Sequence, residues 1–561
     1  MAEKLIDVEE AAAQLGVSKS RVRAMCVDGT LVAAKIGGQW TIEAKSVRIH
    51  AGRTAKRRAS RQSSSLDIDS ALLQIRNELR LQFVPDLLRF EDLMTGQTGL
   101  KAEVRRRVSN GKLPAARIEV VETPKDEINH RPGSVLDPVD WVIYHAAVAR
   151  IAPAIDDALS TAVYSSRVNR TDSRYLTRPF AKQYAAWQRA TRRALTKGGY
   201  KFMLSTDIVA YYEQIGVDEL FPLIAPFDHG GVSWPVIRAM LRDWTKDMRG
   251  LPQGPDASAI LGNLYLKPLD DLLDAIPNVT HVRYMDDIRV FAVDRRDLLV
   301  VAGEMQRLLR SQKLDIKSDK TKLYSQPEAL DALEDSAKDI AIYLMKVDKP
   351  EARKHLRKMV RAAIRKAAGP DRRTVEFGLR RLRRLGDANL LSLVLANIDH
   401  LPPSGQVIAE FISQFPNRKG VDTAITDFLS DPKRNLWPQY EMWLLFALGE
   451  SSTPLPGKLM DRARRLVRDS GKPWWLRAAA LDVLLTDPAD VSNSKAISDG
   501  LRNTNDLQFY RQASALFLQR QQVTSIKQLR LELTRLGTEH SQRLDAFLES
   551  SPKSPERWLG H

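Results

Sequence analysis

The spacing of apolar residues changes twice along this chain. The first fifty residues hold two short helical patterns and an alternating stretch, residues 66–330 mix helical and strand patterns, and from about residue 345 the pattern is almost wholly helical. A period near 3.6 residues predicts helices and a period of two predicts strands. The pattern therefore predicts a multidomain α+β protein with a small N-terminal domain, a central mixed domain and an all-α C-terminal domain.

The predicted C-terminal helices are short and are separated by Pro or Gly. At residues 353–368, apolar Leu356 and Val360 recur at helical spacing beside Arg357 and Arg361, which is the pattern of an amphipathic helix. Further helices are predicted at residues 390–398, 407–415, 440–448, 458–467, 474–485 and 509–518. They show no fixed period, and the series favours an irregular stack of paired helices, a helical-repeat (HEAT-like) domain.

Residues 5–48 predict two short helices followed by a hairpin. Asp7 caps the first helix, Ser18 caps the second, and residues 31–42 form the hairpin around a Gly-Gly turn. Two helices joined by a short turn that contains Gly are typical of helix-turn-helix proteins, and the hairpin adds a wing. A protein-docking module with the same core is the alternative, because base contacts cannot be read from a sequence.

The second helix carries the candidate DNA contacts. Ser18, Lys19, Arg21 and Arg23 are polar positions around the apolar Val22, so we expect them on the exposed face. With its Leu-Gly-Val-Ser turn, its Val-Arg pair and a Trp in the hairpin, this stretch resembles the excisionase/MerR-like winged helix-turn-helix family. The resemblance implies DNA binding.

The next segment, residues 51–65, is basic and rich in Ser and has almost no large apolar side chain. Such a segment cannot form a core, so we predict a linker. Phosphate contact by Arg57, Arg58 and Arg61 is the less favoured alternative.

Composition narrows the class of protein. Of the 561 residues, 43% are hydrophobic and 28% are charged, which is typical of a globular chain. The formal net charge of +17 is consistent with a nucleic-acid partner, although a basic surface can also be only solubilising. A single cysteine, Cys26, excludes an internal disulfide. Because no apolar run approaches a membrane span and no signal-peptide core is present, we expect a cytoplasmic protein with no membrane partner.

Two adjacent carboxylates, Asp286 and Asp287, lie between two runs rich in Val, Ile, Tyr and Phe. The runs predict a β-hairpin with both acids at its tip. Adjacent like charges repel, and two Mg²⁺ ions about 3.5–4 Å apart would remove the repulsion while holding the attacking and leaving oxygens of a phosphoryl transfer. A turn that merely faces solvent is the alternative, since a short motif is a weak signal.

A third acid, Asp207, follows the apolar stretch 202–206 and precedes a turn into a helix. It could complete a three-carboxylate metal site with Asp286 and Asp287, with Ile208 beside it as a further metal contact. A lone Asp at a strand end is more often a helix cap.

Three further segments place polar residues before and after these acids. Pro-Gln-Gly at residues 252–254 opens an apolar helix, where Gly permits close backbone approach and a helix start suits an anion. Lys125 and Arg131 precede the first acid, and Lys320 follows the hairpin. Alone, the basic segments are typical of solvated loops, and Pro-Gln-Gly is typical of an ordinary loop before a core helix.

Taken together and in this order, the five segments resemble reverse transcriptases over roughly residues 70–330. The resemblance implies a right-hand-like polymerase core with fingers and an antiparallel palm sheet. The implied catalytic and metal-binding residues, for two Mg²⁺ ions, are Asp207, Asp286 and Asp287. The implied nucleotide-binding residues are Lys125, Arg131, Tyr212, Gln253 and Lys320. Among them, Tyr212 matches the steric gate that disfavours a nucleotide 2′-hydroxyl.

The helical C-terminal part resembles that of the bacterial abortive-infection and defence-associated reverse transcriptases. This resemblance implies antiphage defence, homo-oligomers and, in some members, protein-primed synthesis without an added template. Tyr440 and Tyr510 lie in apolar helical patterns, so we expect them in the core and not as primers. The implied partners are RNA or DNA and deoxynucleoside triphosphates.

Two alternatives stay open. One is a retron-like or mobile-element reverse transcriptase that uses a specific partner RNA, and the other is a DNA-binding regulator with an inactive polymerase fold. The predicted domains are the winged helix-turn-helix at 1–50, the linker at 51–65, fingers and palm at 66–335, and the helical-repeat domain, in place of a thumb, at 336–561.

Overall fold

The structure is a computed structural model that describes residues 5–15, 18–27, 30–47, 66–79, 84–87, 94–95, 97–109, 113, 118–334, 336–367, 369–415, 420–536 and 548–549. The chain divides into two compact units, Met1–Asp67 with Asp228–Pro235 and Ile68–Phe227 with Val236–His561. The linker predicted at 51–65 lies outside the described residues. Within these ranges, no helix combines the length and the apolar character that crossing a bilayer requires.

The N-terminal unit contains a three-stranded antiparallel sheet and two helices. Its elements are β1 (Leu5–Ile6), α1 (Val8–Leu15), α2 (Lys19–Val27), β2 (Ala33–Ile36) and β3 (Gln39–Glu43). The strand order is β1-β3-β2. An Asp7 carboxylate oxygen accepts the backbone N–H groups of Glu9 and Glu10, both at 2.8 Å, so Asp7 caps α1. The predicted helices and hairpin are present, whereas β1 is too short for alternation to reveal.

The second unit begins with mixed helices and strands. These are α3 (Ile68–Glu78), α4 (Gln97–Ser109), β4 (Ile118–Pro124), β5 (His130–Leu136), α5 (Pro138–Ala158), α6 (Phe180–Thr196), β6 (Phe202–Thr206), α7 (Tyr211–Gln214), α8 (Val217–Ile224), α9 (Ser233–Trp244), α10 (Asp256–Tyr265), α11 (Lys267–Ala275), β7 (Val279–Tyr284), β8 (Asp287–Ala292), α12 (Arg295–Ser311), β9 (Lys322–Ser325) and α13 (Gln326–Leu333).

Two antiparallel sheets organise this part. Strands β4 and β5 form a hairpin, and the other sheet has the order β7-β8-β6-β9. Helix α12 packs on β6 and β8 through Leu298, Val301, Met305 and Leu309, which recur every three or four residues. Trp187 of α6 belongs to a separate core with residues of β6, β7 and β8. The four-stranded sheet is therefore held by helices packed on it.

The remainder of the unit is helical. Its helices are α14 (Ser336–Val347), α15 (Lys349–Ile364), α16 (Arg372–Arg384), α17 (Leu391–Ala396), α18 (Gly405–Ile412), α19 (Val421–Ser430), α20 (Pro438–Leu448), α21 (Gly457–Arg468), α22 (Trp474–Leu484), α23 (Val491–Arg502), α24 (Leu507–Gln519) and α25 (Val523–Leu536). From α16 onward each helix contacts the next but one, which forms two rows. Helix α22 is buried along its whole length.

Sequence periodicity found one row of helices better than the other. Helices α16, α19, α23 and α25 were not predicted. The Ser, Thr, Asp and Gln content of the last three weakens the apolar period, and charged residues make up most of α16. In α23 the cap is clear only in the structure, where Asp490 accepts the backbone N–H of Ser492 at 2.6 Å. The helix predicted at 353–368 begins earlier, at Lys349, because Asp348 caps it.

The helical part and the β4–β5 hairpin share one hydrophobic core, which contains Val121 of β4. The Glu119 carboxylate on the same strand accepts the indole N–H groups of Trp474 and Trp475, each at 2.7 Å. These contacts join the base of the hairpin to α22. Because the hairpin carries Lys125 and Arg131, the helical part supports two candidate site residues.

Candidate active site

The β7–β8 hairpin places Asp286 in its turn and Asp287 at the first position of β8. Met285, which precedes them, has a left-handed φ of 57°. Its backbone N–H donates to the Ser165 hydroxyl at 2.7 Å. The tight turn is therefore held by a contact from outside the hairpin, and this contact opposes the strain of the left-handed residue.

The third acid lies beside the hairpin because β6 and β8 are neighbours. Thr206 is paired with Ile288, so Asp207 follows β6 where β8 begins. Burial raises the pKa of Asp286 to about 7, helped by the charge and a hydrogen bond of Asp207. Burial and Asp207 also raise the pKa of Asp287. The structure thus brings Asp207 beside the adjacent pair Asp286 and Asp287, from which it is far apart in sequence.

Lys320 contacts one of these acids directly. Its ammonium forms an ion pair with the Asp207 carboxylate. The backbone N–H of Lys317 donates to the Asp207 carbonyl at 2.7 Å, and the hydroxyls of Thr206 and Thr321 are 2.7 Å apart. The loop before β9 is therefore fixed against the end of β6, and Lys320 lies within reach of the acids.

Lys125 and Arg131 approach the acids from the β4–β5 hairpin. Burial lowers the pKa of Lys125, and the positive charges of Arg131 and Lys317 lower it further. Burial also lowers the pKa of Arg131, whereas Asp286 and Asp207 raise it. Lys125 and Arg131 therefore face both the carboxylates and other cations, which is a field that attracts a polyanion.

Tyr212 lies against the hairpin turn. Its hydroxyl is 3.5 Å from the Met285 sulfur, and its carbonyl accepts the backbone N–H of Leu251 at 2.8 Å. The neighbouring Tyr211 is buried, and its hydroxyl donates to the Gly262 carbonyl. Of the two tyrosines, Tyr212 is thus the one whose ring lies at the turn that carries the acids.

Gln253 is anchored by its backbone. Its carbonyl accepts the N–H of Ser134 at 2.9 Å, and its N–H donates to the Ser134 hydroxyl at 3.0 Å. Its side-chain oxygen is buried and has no hydrogen-bond partner among the described residues. Gly254 next to it has a φ of 136°, which favours glycine. Gln253 therefore has an unused acceptor on a rigid loop.

Sequence reasoning missed the group that fixes the hairpin turn. Arg283 is fully buried in β7, and it donates to both carboxylate oxygens of Asp270, at 2.8 and 2.6 Å. Its other N–H groups donate to the side chain of Asn263 at 3.0 Å and the Met285 carbonyl at 2.9 Å. The only signal in the sequence is a charged residue inside an apolar strand.

Two further missed residues come from the helical part. Arg372 and Arg373 begin α16, and their positive charges lower the pKa of Arg131, although burial contributes most. Arg373 also opposes the rise in the pKa of Asp287, which burial causes chiefly. The charges at the N-terminal end of α16 therefore act on the site residues.

The side chains fit a divalent cation, although they do not form a finished metal cage. Within the described ranges, no group of three or more His, Cys, Asp or Glu side chains is arranged to hold a metal ion. At Asp207, the ammonium group of Lys320 already supplies a positive charge. The pKa of Asp286, next to Asp207, is raised by burial and by the charge of its neighbour, so added positive charge would favour its carboxylate form. A donor set of carboxylate oxygens that needs positive charge suits Mg²⁺. The side chain of Ile208 is buried and apolar, so only its backbone carbonyl could join that set.

The candidate DNA contacts lie on α2 of the N-terminal unit. Ser18, Lys19, Arg21 and Arg23 are all exposed, and Val22 between the two arginines is buried. Lys19 forms an ion pair with Glu9 at 2.7 Å. The exposed face therefore presents two arginines to solvent.

Residues 123–350 match the family model described as reverse transcriptase (RNA-dependent DNA polymerase). The chain contains a reverse transcriptase domain. Residues 5–50 match the model described as a helix-turn-helix domain, so the chain also carries a helix-turn-helix at its N-terminal side. Both predictions of domain type are confirmed. Arg372 and Arg373 lie outside the matched reverse transcriptase segment.

Solved structures of telomerase are also similar to the chain. Apo telomerase from Candida tropicalis has 12% sequence identity, with 80% of this chain and 74% of that chain covered and a TM-score of 0.28. Telomerase from Candida albicans in complex with a fragment of telomeric RNA has 11% identity, with 86% and 75% covered and a TM-score of 0.28. Likenesses at this level carry no argument about function. No curated protein matches the chain.

Proposed function

We propose that this protein is a reverse-transcriptase-type polymerase that adds deoxynucleotides to a nucleic-acid 3′ end. The observation that carries the proposal is the meeting of Asp207, Asp286 and Asp287 at the ends of adjacent strands, with cationic side chains facing them. Phosphoryl transfer requires positioning and charge stabilisation more than covalent chemistry, and this cluster supplies both.

The carboxylates and the cationic residues would bind different parts of the reacting system. Asp207, Asp286 and Asp287 would hold two Mg²⁺ ions, with the Ile208 carbonyl as a further contact, and bound ions would activate the attacking hydroxyl and neutralise the leaving pyrophosphate. Lys125 and Arg131, on the β4–β5 hairpin (the fingers), would bind the triphosphate. Their hairpin is tied to α22 through Glu119.

The remaining site residues select and orient the substrate. Lys320 would move from Asp207 to the pyrophosphate oxygens as its charge partner changes. Tyr212 would exclude a 2′-hydroxyl, because its bulky aromatic ring lies at the Met285 turn, next to the acids. Gln253 would support the template and the incoming base from its rigid loop.

Primer extension tests the proposal. The Asp286→Asn plus Asp287→Asn variant should incorporate no deoxynucleotide above background on RNA or DNA templates, because two of the three carboxylates lose their charge. The matched control, Asp271→Asn plus Asp274→Asn, removes two exposed charges from α11 and should retain activity. Unchanged incorporation by the first variant would place the reactive centre elsewhere.

The helical C-terminal part bears on the biological role of the protein. The two rows of helices after residue 350 support a HEAT-like domain in place of a thumb, as in defence-associated reverse transcriptases. From this likeness we propose an antiphage role and a homo-oligomer. RNA as template is proposed from the matched reverse transcriptase segment, and a cytoplasmic location from the sequence. Tyr440 and Tyr510 are buried, and their hydroxyls donate to the carbonyls of Ile398 and Leu501, so neither is offered as a primer.

The helix-turn-helix favours duplex DNA as a second partner, and the exposed Arg21 and Arg23 support that proposal. Sequencing the nucleic acid that copurifies with the protein separates the alternatives. A single defined RNA would favour the retron-like enzyme, and duplex DNA with no incorporation activity would favour an inactive regulator.

A further inference from the structure

Positive charge is concentrated in two helices that follow one another from the end of the matched reverse transcriptase segment. Residues 349–384 contain fourteen Lys or Arg and three Asp or Glu. They include α15 and α16, which pack against each other. Gly378 of α16 lies so close to Val360 of α15 that a Cβ on the glycine would be 2.1 Å from a Val360 methyl group. The charge therefore belongs to a closely packed pair of helices.

One face of α16 presents its charge in a stripe. Arg373, Phe377, Arg380 and Arg384 are separated by four, three and four residues, so they lie on one side of the helix. The three arginines are exposed and Phe377 is half-buried. We call these four residues the arginine stripe. At 1.5 Å per residue the arginine stripe is about 17 Å long.

The opposite face of α16 packs into the hydrophobic core. Val375, Leu379 and Leu382 are fully buried there. The guanidinium of Arg381 lies 3.4 Å from the centre of the Phe377 ring, which fixes that ring beside the stripe. Helix α16 therefore cannot rotate, and the arginine stripe has a fixed direction.

Among the described residues, no carboxylate lies within ion-pair distance of Arg373, Arg380 or Arg384. Other arginines of the helix differ in this respect, since Arg372 pairs with Glu376 at 2.7 Å and Arg383 with Glu410 at 3.4 Å. Three like charges on one face repel one another, and an anionic partner would remove that repulsion.

The arginine stripe begins beside the β4–β5 hairpin, because residues 402–404 contact both α16 and β4. The charge of Arg373 also acts on Asp287 and Arg131. Arg380 and Arg384 lie two and three turns further along the same face. A polyanion that reaches from the site along α16 would therefore meet the three arginines in succession.

We propose that the arginine stripe binds the phosphate backbone of a single nucleic-acid strand whose end lies at the reverse transcriptase site. The proposal rests on the proposed function for the position of that end. Along the helix axis, Arg373 and Arg380 are about 10 Å apart and Arg380 and Arg384 are about 6 Å apart. In a stacked strand with a phosphate every 3.4 Å or so, these distances correspond to about three and about two phosphate spacings. One strand suffices, because the stripe is a single row.

Binding of a fluorescein-labelled oligothymidylate to the full chain, followed by anisotropy from about 50 to 300 mM salt, tests this inference. Each phosphate contact on a single strand contributes about 0.7 to the salt slope, so the Arg373→Gln, Arg380→Gln and Arg384→Gln triple variant should lose about 2 from the slope. At 0.1 M salt this difference in slope corresponds to roughly 100-fold weaker binding by the triple variant than by the wild-type chain.

The matched control removes the same charge elsewhere on the helical part. Arg465→Gln, Lys472→Gln and Lys495→Gln change three exposed residues, and the slope should stay that of the wild-type chain. Equal losses in the two triple variants would overturn the inference, since net charge would then explain both. If the stripe variant failed to fold, Arg380→Gln alone should lower the slope by about 0.7, and no change would overturn the inference.

The outcome separates this inference from the proposed function. The Asp286→Asn plus Asp287→Asn variant should bind the oligonucleotide with a normal or higher slope, because the arginine stripe is intact. If the wild-type chain incorporates no nucleotide but its binding depends on the stripe, the polymerase proposal fails and the strand-binding surface stands. If incorporation is normal and the stripe variant binds as the wild type does, the strand follows another surface.

Discussion

The buried pair of Arg283 and Asp270 permits a test that separates stability from positioning. Both side chains are fully buried, and two hydrogen bonds of 2.8 and 2.6 Å join them. Burial would raise the pKa of Asp270, but the charge of Arg283 keeps it below the ordinary value. Either charge left alone would be buried without its main partner, which costs about 3–5 kcal/mol.

The Arg283→Met and Asp270→Leu single variants should each lose about 3–5 kcal/mol of unfolding free energy, and the double variant should recover most of it because an apolar pair of similar volume is often neutral. Activity should not recover. In the wild-type chain Arg283 donates a hydrogen bond of 2.9 Å to the Met285 carbonyl, and Met at position 283 cannot make it. A displacement of the turn by about 1 Å would lower incorporation roughly 100-fold.

Urea unfolding gives the free energies, and primer extension at a temperature where all four proteins are folded gives the activities. A double variant as unstable as the sum of the singles would refute the argument from an unpaired charge. A double variant with wild-type activity would refute the positioning role of Arg283.

Three further predictions concern separate parts of the chain. Tyr212→Ala should admit ribonucleotides, which competition between deoxy- and ribonucleoside triphosphates measures, while Tyr212→Phe retains selectivity. Glu119→Gln should lose one charged hydrogen bond to an indole, lowering the unfolding free energy by roughly 1.5–3 kcal/mol in urea, whereas Glu122→Gln, on the exposed side of β4, should not. Arg21→Ala plus Arg23→Ala should reduce the salt slope of duplex binding by about 2.

Each of these has an outcome that contradicts it. Unaltered selectivity in Tyr212→Ala would show that Tyr212 is not the gate. Equal stability of the Glu119 and Glu122 variants would mean that the indole bonds do not hold the hairpin. An unchanged salt slope for the Arg21→Ala plus Arg23→Ala variant would show that the duplex contacts do not lie on α2.

Local features were predictable because they depend on neighbours in sequence. The alternation around Asp286 and Asp287 predicts the β7–β8 hairpin, and the apolar run before Asp207 predicts β6. The Asp and Ser caps likewise predict the start of each helix in the N-terminal unit. The reverse transcriptase and helix-turn-helix domains followed from such local motifs and are confirmed, whereas the roles of the individual site residues remain proposals.

Other features depend on residues that only the fold brings together. Arg283 and Asp270 are thirteen positions apart, and nothing in their local patterns indicates that both are buried. Glu119 meets Trp474 across 355 positions of the chain. The arginine stripe looks like an ordinary solvated face until the fold brings the charge of Arg373 within electrostatic reach of Asp287.

The sequence by itself determined the order of the domains, the β7–β8 hairpin and the residue types of the candidate site, because hydrophobic period and turn chemistry act over a few residues. Only the tertiary structure decided which charges are buried and paired, and that the charges of a helix from the C-terminal part act on the acids. Burying a charge carries a desolvation penalty, and an oppositely charged partner offsets that penalty only when it is close in space. Packing of distant segments decides both.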